Sequence, residues 1–368
     1  MNVIDYIDKY GDYSFKKKPL NEIDKLIFGL LSYVHYDGTV SYNSKDKRTV
    51  KQVAREFFKK NSKSDIRKNI TAVRGSIKIL NAIQDKKRYK DLLLYNDIYV
   101  TDEEQQFSAL CIEIEPKLVY VSFEGTDQLI SGWKEDLVLA YRTNTLSHKK
   151  AIKYLNKYYT FSNKHLIIGG HSKGGNLALV ASMHANILVR TQIREVLNVD
   201  GPGLLDIEFY SKEFKKVLPK YKHIIPDNSL IGMCLNNTNE TVVKSTTNAP
   251  LSHLISYWEI TDNNFILNEL SPYSSELRID LLNWVSKTHK NDIRKLTKNF
   301  QNIFESAGIN SLIDIKKKKR VIFELIEESK NMDPEAKRVL IDLIKIVIKS
   351  IGDTYISEIK TNIKNYVD

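Results

Sequence analysis

The stretch "LIIGGHSKGGNLALVAS", residues 166–182, constrains the fold more than any other part of the chain. A short apolar run of strand character passes, with no spacer, through Gly-x-Ser-x-Gly into a helix-like apolar sequence. That order describes a sharp strand-to-helix turn that exposes the hydroxyl of Ser172 at the top of a sheet. Gly170 and Gly174 fit the turn because side chains there would clash with neighbouring backbone. The following helix aims its positive end at the site, where an oxyanion would develop.

The surrounding pattern agrees with a mainly parallel sheet. Residues 1–95 are expected to be mostly helical, with Ile23, Leu26, Ile27, Leu30, Leu31 and Val34 on one helical face. "NDIYVTD", "FSALCIEIE" and "KLVYVSFEG" then suggest a small β-meander. From about residue 145, helix and strand alternate: "SHKKAIKYLNKYYTF", "HLIIGG", "GNLALVASMHANIL", "IREVLNVDG", then "YKHIIPD" and "TVVKST". Such alternation predicts an α/β fold with helices on both faces of the sheet. The expected organisation is a helical segment over 1–95 packing on the core, a core over 96–271 and a basic helical segment over 272–368.

The last segment carries "KKKKR" at 316–320. It also carries a stripe of Val339, Leu340, Leu343, Ile344, Val347, Ile348 and Ile351. The stripe is read first as a helix packing on the domain, and second as a surface for peripheral contact with an anionic membrane.

Of 368 residues, 56 are Lys or Arg and 45 Asp or Glu, a formal charge of +11. The basic residues are dispersed among acids without interleaved aromatics, so no nucleic-acid partner is expected. Two cysteines, Cys111 and Cys234, make no disulfide framework, and no His/Asp/Glu cluster has metal-ligand spacing. No metal and no cofactor are expected. The opening "MNVIDYIDKYGDY" does not read as a signal peptide, so a cytoplasmic location is expected.

A serine becomes a nucleophile when a histidine takes its proton and a carboxylate orients that histidine. His184 falls in the helix after the turn, His223 in a strand and His289 in the helical tail. His253, in "NAPLSHLISYW", falls in a loop after the last sheet strand and is the expected base. Asp227, in "HIIPDNSLIG", is the expected acid from strand order. Asp200, in "LNVDGPG", is the alternative at the end of the preceding strand. One oxyanion donor is the backbone N–H of Lys173. The second belongs to "VYVSFEGTDQLISGWKEDL", residues 119–137, where Trp133 and Asp136 are expected to open a helix.

"FEGTD…GWKEDL" followed by "GGHSKGGNLA" resembles the class 3, fungal-type lipases, over about residues 95–260. "GDYSFKKKPLNEIDKLIFGLLSYV" is similar to the opening of a bacterial branch of these lipase-like hydrolases. The resemblance implies an α/β-hydrolase fold and cleavage of carboxylic esters, of lipids or other acyl esters, through a Ser-His-Asp triad. Acyl transfer or thioester hydrolysis would use the same parts, and a non-catalytic binding or membrane-surface module is the alternative from another class. The resemblance places Thr126 in the oxyanion hole beside Lys173. It also marks two departures: Glu124 replaces a basic residue before Gly-Thr, and Lys173 replaces an apolar one. The Lys173 side chain is expected to set a cation beside the nucleophile and favour anionic substrates. A cover over the site is expected from the N-terminal helices or from residues 204–220.

Overall fold

The computed structural model describes residues 1–69, 71–101, 106–126, 137–306 and 334–351. Eight strands lie side by side in chain order. They are β1 (Arg48–Thr49), β2 (Leu93–Thr101), β3 (Gln106–Glu115), β4 (Leu118–Phe123), β5 (His165–His171), β6 (Ile193–Val199), β7 (Tyr221–Pro226) and β8 (Glu240–Val243). Pairings from β1 to β4 are antiparallel, and those from β4 to β8 are parallel. A small hairpin, β9 (Ile260–Thr261) with β10 (Asn264–Phe265), follows.

The helices ahead of the parallel strands are α1 (Val3–Tyr10), α2 (Glu22–Leu31), α3 (Val50–Lys60), α4 (Lys63–Lys68) and α5 (Thr71–Ile83). The crossovers carry α6 (Leu146–Tyr159), α7 (Lys173–His184), α8 (Ile187–Gln192), α9 (Asp206–Phe209) and α10 (Lys212–Val217). Then come α11 (Pro272–Lys287), α12 (Lys290–Ser306) and α13 (Pro334–Ile351).

Strand order explains why both ends of this list are needed. Parallel strands added in sequence through right-handed crossovers put their helices on one face of the sheet. On that face Val119, Val121, Leu166, Ile168 and Val196 pack with Ala151 and Leu155 of α6, Leu177 and Ala181 of α7, and Phe214 of α10. The alternate residues Tyr120, Ile167, Leu197, Val199 and Ile224 point the other way. They would be bare without Ile7, Ile27, Phe28, Leu31, Leu80 and Ile83 of α1, α2 and α5. The N-terminal helices are therefore a layer of the core. The result is a three-layer α/β-hydrolase fold with a mainly parallel sheet.

That layer is fastened by charge as well as by apolar area. Asp24 lies in the first turn of α2, where its carboxylate accepts the Asn21 N–H in a capping box. The same fully buried carboxylate pairs with Arg88, Nε to Oδ1 at 2.7 Å, and accepts the Tyr89 hydroxyl at 2.8 Å. Arg88 spends its remaining N–H groups on the carbonyls of Tyr13, Lys18 and Pro19. One ion pair thus ties the loop before α2 to the segment before β2.

At the other end, Val339 and Leu340 of α13 are buried with Trp284, Ile293 and Leu296, and Leu343 packs beside Leu277 and Leu281. This part of the apolar stripe is a packing surface. The side chains of Ile344, Val347, Ile348 and Ile351 and the "KKKKR" run lie outside the described residues, as do Trp133 and Asp136. Among the described residues, no helix is long and apolar enough to cross a membrane.

Removing one member of a fully buried ion pair strands the other charge. Asp24→Ala is expected to lower the free energy of unfolding by about 3–5 kcal/mol. Urea denaturation followed by circular dichroism and by tryptophan fluorescence checks this. The two signals are expected to change together, because helices and sheet share one core.

Candidate active site

The carboxyl ends of the parallel strands deliver Gly125 and Thr126 after β4, Ser172 after β5, Asp200 after β6, Asp227 after β7 and His253 beyond β8. Loops at this edge are where an open α/β sheet gathers its ligand-binding groups.

Ser172 adopts φ 59° and ψ −135°, a conformation costly for a residue with a side chain. Close backbone packing holds it there. The Ser172 N–H donates to the Val199 carbonyl at 2.9 Å, and the Gly175 N–H to the Ser172 carbonyl at 2.9 Å. A Cβ on Gly170 would strike the Phe123 carbonyl and the Gly174 backbone, and one on Gly174 would strike the Phe123 carbonyl as well. The two glycines let β4 and the head of α7 close on the turn, as the motif requires. The loop after β4 reaches the same place, since a side chain on Gly125 would meet the Tyr33 hydroxyl, the His171 carbonyl and Ser172 Cβ. Thr126 follows at once and is partly buried. Lys173 opens α7, so its backbone N–H lies at the positive end of the helix.

His253 ends a short 3₁₀ turn, Leu251–His253. Its neighbour Ser252 fixes the loop, with Oγ donating to the Asn228 carbonyl at 2.6 Å and its carbonyl accepting the Trp258 indole N–H at 2.8 Å. The His253 ring lies 4.3 Å from that of His171, centroid to centroid, directly before Ser172 in the chain. Nδ1 of His253 donates to Oδ2 of Asp200 at 2.7 Å. Neither Ser172 Oγ nor His253 Nε2 has a hydrogen-bond partner among the described residues, so hydroxyl and second ring nitrogen are both open. The His253 side chain is 17% exposed, while that of Asp200 is 0% exposed.

The acid expected from strand order does not meet the histidine. Asp227 spends its carboxylate on the Asn228 amide at 3.1 Å, the Ser245 N–H at 3.2 Å and the Asn268 amide at 2.7 Å. It joins the end of β7 to the loops after β8 and before α11. The alternative, Asp200, makes the contact, because a positive φ of 45° turns it off the end of β6. Its other oxygen accepts the Ser229 hydroxyl at 2.5 Å and the Gly232 N–H at 3.1 Å.

The turn below Asp200 is pinned by Asn198, which donates to the Pro202 carbonyl at 3.2 Å and accepts the Gly201 N–H at 3.0 Å. Asn176 adds a bond to the Gly203 carbonyl at 2.7 Å and is itself bonded to His148 Nε2 at 2.7 Å. Nothing in the residue pattern singled out His148, Asn176 or Asn198. Their signal was faint: polar residues in otherwise apolar strand and helix segments.

Lys173 departs from expectation. Its ammonium is buried and donates to the Gln106 carbonyl at 3.0 Å, at the start of β3, so it does not extend into solvent as a handle for anionic substrates. Glu124 is likewise buried, with Oε1 3.3 Å from His35 Nε2. Residues 204–220 hold α9 and α10, anchored by Phe214 and Val217 in the core below α7. Among the described residues, no group of three or more His, Cys, Asp or Glu could hold a metal ion.

A protein-family model described as Mbeg1-like matches residues 83–305, more than half of the chain's 368 residues. The chain belongs to the Mbeg1-like family. This is a lipase-like family. Among solved structures, this Mbeg1-like chain is similar to the M37 lipase at 13% identity and a TM-score of 0.36, over 59% of this chain and 70% of that one. It is also similar to a fungal lipase solved in complex with an inhibitor, at 13% identity and a TM-score of 0.33, over 47% and 71%. No curated protein matches the sequence.

His223, in β7 beside the Asp200 turn, is fully buried, and burial followed by the charge of Arg278 pushes its pKa down to about 3. The unfolded chain binds that proton near pH 6.5, so the unfolded state holds more protons below this value. Stability from this group is present above about pH 6.5 and lost as pH falls toward about 3. His223→Gln is expected to flatten the dependence by about 1.4 kcal/mol per pH unit in that window. Urea midpoints at a series of pH values check the slope.

Proposed function

We propose that the protein is a serine hydrolase of carboxylic esters, of lipids or other acyl esters, working through an acyl-enzyme. The observation that carries the reading is the His253 Nδ1 to Asp200 Oδ2 bond of 2.7 Å on an imidazole whose ring lies 4.3 Å from that of His171, the residue before Ser172. A carboxylate bound at Nδ1 fixes the tautomer with a bare Nε2, which is the form a general base needs.

Ser172 Oγ attacks the ester carbonyl carbon while its proton passes to His253 Nε2. Asp200 holds the imidazolium that results. The carbonyl oxygen becomes an oxyanion accepted by the backbone N–H groups of Thr126 and Lys173 at the head of α7. Collapse of the tetrahedral intermediate expels the alcohol, which takes the proton from His253, and water releases the acyl group by the same steps in reverse. The open serine hydroxyl and imidazole nitrogen support this, since such hydrogen bonds tighten on substrate binding.

The experiment is labelling with a fluorophosphonate probe alongside hydrolysis of p-nitrophenyl esters of increasing chain length and of acyl thioesters, with and without anionic vesicles. Ser172→Ala is expected to abolish labelling. Undiminished labelling of that variant overturns the reading, and turnover of thioesters alone reassigns the substrate. Asp200→Asn is expected to lower kcat by about 10⁴-fold. Asp227→Asn is expected to lower the melting temperature and leave kcat within about threefold, since its hydrogen bonds hold loops together. The reverse ranking of the two aspartates would restore Asp227 as the acid.

A further inference from the structure

His171 is the last residue of β5, directly before the proposed nucleophile, yet its side chain serves the loop of His253. Its Nε2 lies 2.9 Å from the backbone carbonyl of His253. A carbonyl only accepts, so Nε2 carries the proton and donates. Its Nδ1 lies 3.1 Å from the Tyr33 hydroxyl, which also reaches the His171 carbonyl at 3.2 Å. Burial, reinforced by the neighbouring His253, holds the His171 pKa well below the ordinary histidine value. The ring is therefore neutral, and Nδ1 accepts from the hydroxyl.

Tyr33 comes from outside residues 83–305, on the turn that ends α2. That turn is clamped to the sheet through hydroxyl groups. Ser108 Oγ of β3 donates to the Ser32 carbonyl at 3.1 Å, and Ser122 Oγ of β4 is within 3.0 Å of the Gly29 carbonyl and 2.9 Å of Ser32 Oγ. The helix end is thus set by two strands, and it presents a buried phenol to the elbow.

We infer that Tyr33 and His171 are positioning residues for His253: the Tyr33 hydroxyl orients the His171 ring, whose Nε2–H tethers the His253 backbone beside Ser172. The inference rests on His253 being the base of the proposed reaction. It gives the N-terminal layer a part in catalysis that lies beyond covering the sheet. A neutral ring suits the task, because His253 becomes an imidazolium during turnover and a second cation 4.3 Å away would oppose that charge.

The test uses the full chain with His171→Leu, His171→Gln and Tyr33→Phe. The glutamine amide nitrogen sits as far along its side chain as Nε2 does in histidine, so it can restore the donor. His171→Leu is expected to lower kcat on a short p-nitrophenyl ester about 10- to 100-fold with KM unchanged, because a small misplacement of a reacting group costs that much. His171→Gln is expected to recover most of the loss, and Tyr33→Phe to lower kcat about 3- to 10-fold, as loss of one hydrogen bond would. Wild-type kcat in His171→Leu, or no recovery in His171→Gln, overturns the tether.

Solvent exchange of the His253 Nδ1 proton, followed by NMR with ¹⁵N-labelled histidine, reads the same tether without turnover. Exchange is expected to be slow in the wild type and in His171→Gln and fast in His171→Leu. Equal exchange in all three overturns the inference. Absence of ester turnover and probe labelling in the wild type instead overturns the proposed reaction, and the exchange measurement still decides the tether. Should His171→Leu not fold, the glutamine and Tyr33→Phe variants carry the decision.

Discussion

A carboxylate with no exposed surface is the constraint around which this site is organised. Asp200 is desolvated at the end of β6, and such a group is tolerated only when donors surround it. Three groups from two loops supply them: the Ser229 hydroxyl and Gly232 N–H from the loop after β7, and the His253 Nδ1–H from the loop after β8. Satisfying one buried charge therefore fixes the relative positions of two loops whose sequences carry no sign of meeting. It also leaves His253 with a single open nitrogen. The chemistry proposed for Nε2 follows from how the carboxylate is satisfied.

The second dependence runs through backbone rather than charge. Ser172 remains at positive φ because β4, β6 and the head of α7 approach it too closely for it to relax. Those approaches are set by a sheet packed between two helical layers, and one of those layers is the N-terminal segment. Packing on one face is thereby linked to the geometry of a turn at the edge. The link passes through particular atoms, from Gly29 and Ser32 at the end of α2, through Ser108 and Ser122, to Tyr33 beside Gly125.

Much of this was legible in the residues, and the exceptions share one physical cause. The elbow could be read because its requirements are local: an apolar strand, two glycines at fixed offsets and a helix start. His253 could be read by elimination, since His184 and His223 fall in regular elements. The choice between Asp200 and Asp227 could not, because both end parallel strands and both precede turn residues. What separates them is the direction of each carboxylate, set by the φ of 45° at Asp200 and by which distant N–H and O–H groups arrive. Residues 1–95 were expected to pack on the core, but which face of the sheet they cover was hidden for a related reason. Strands buried on both faces read as continuous apolar runs, and such runs do not say which helices cover which face.

Lys173 and Glu124 carry that lesson into the electrostatics of the site. Each departs from the lipase pattern close to a proposed oxyanion donor, and Lys173 looks from sequence like a charge offered to substrate. In the fold both are withdrawn: the ammonium is bonded to the Gln106 carbonyl, and the carboxylate faces His35. With both side chains buried, neither is presented to solvent beside the proposed oxyanion position. In the proposed reaction, stabilisation of a tetrahedral intermediate comes mainly from fixed backbone dipoles, the N–H groups of Thr126 and Lys173 and the aligned peptides of α7. Dipoles held by the fold need no reorganisation as charge develops. This is why the rigidity of the turn, more than the formal charge around it, sets what the site can do.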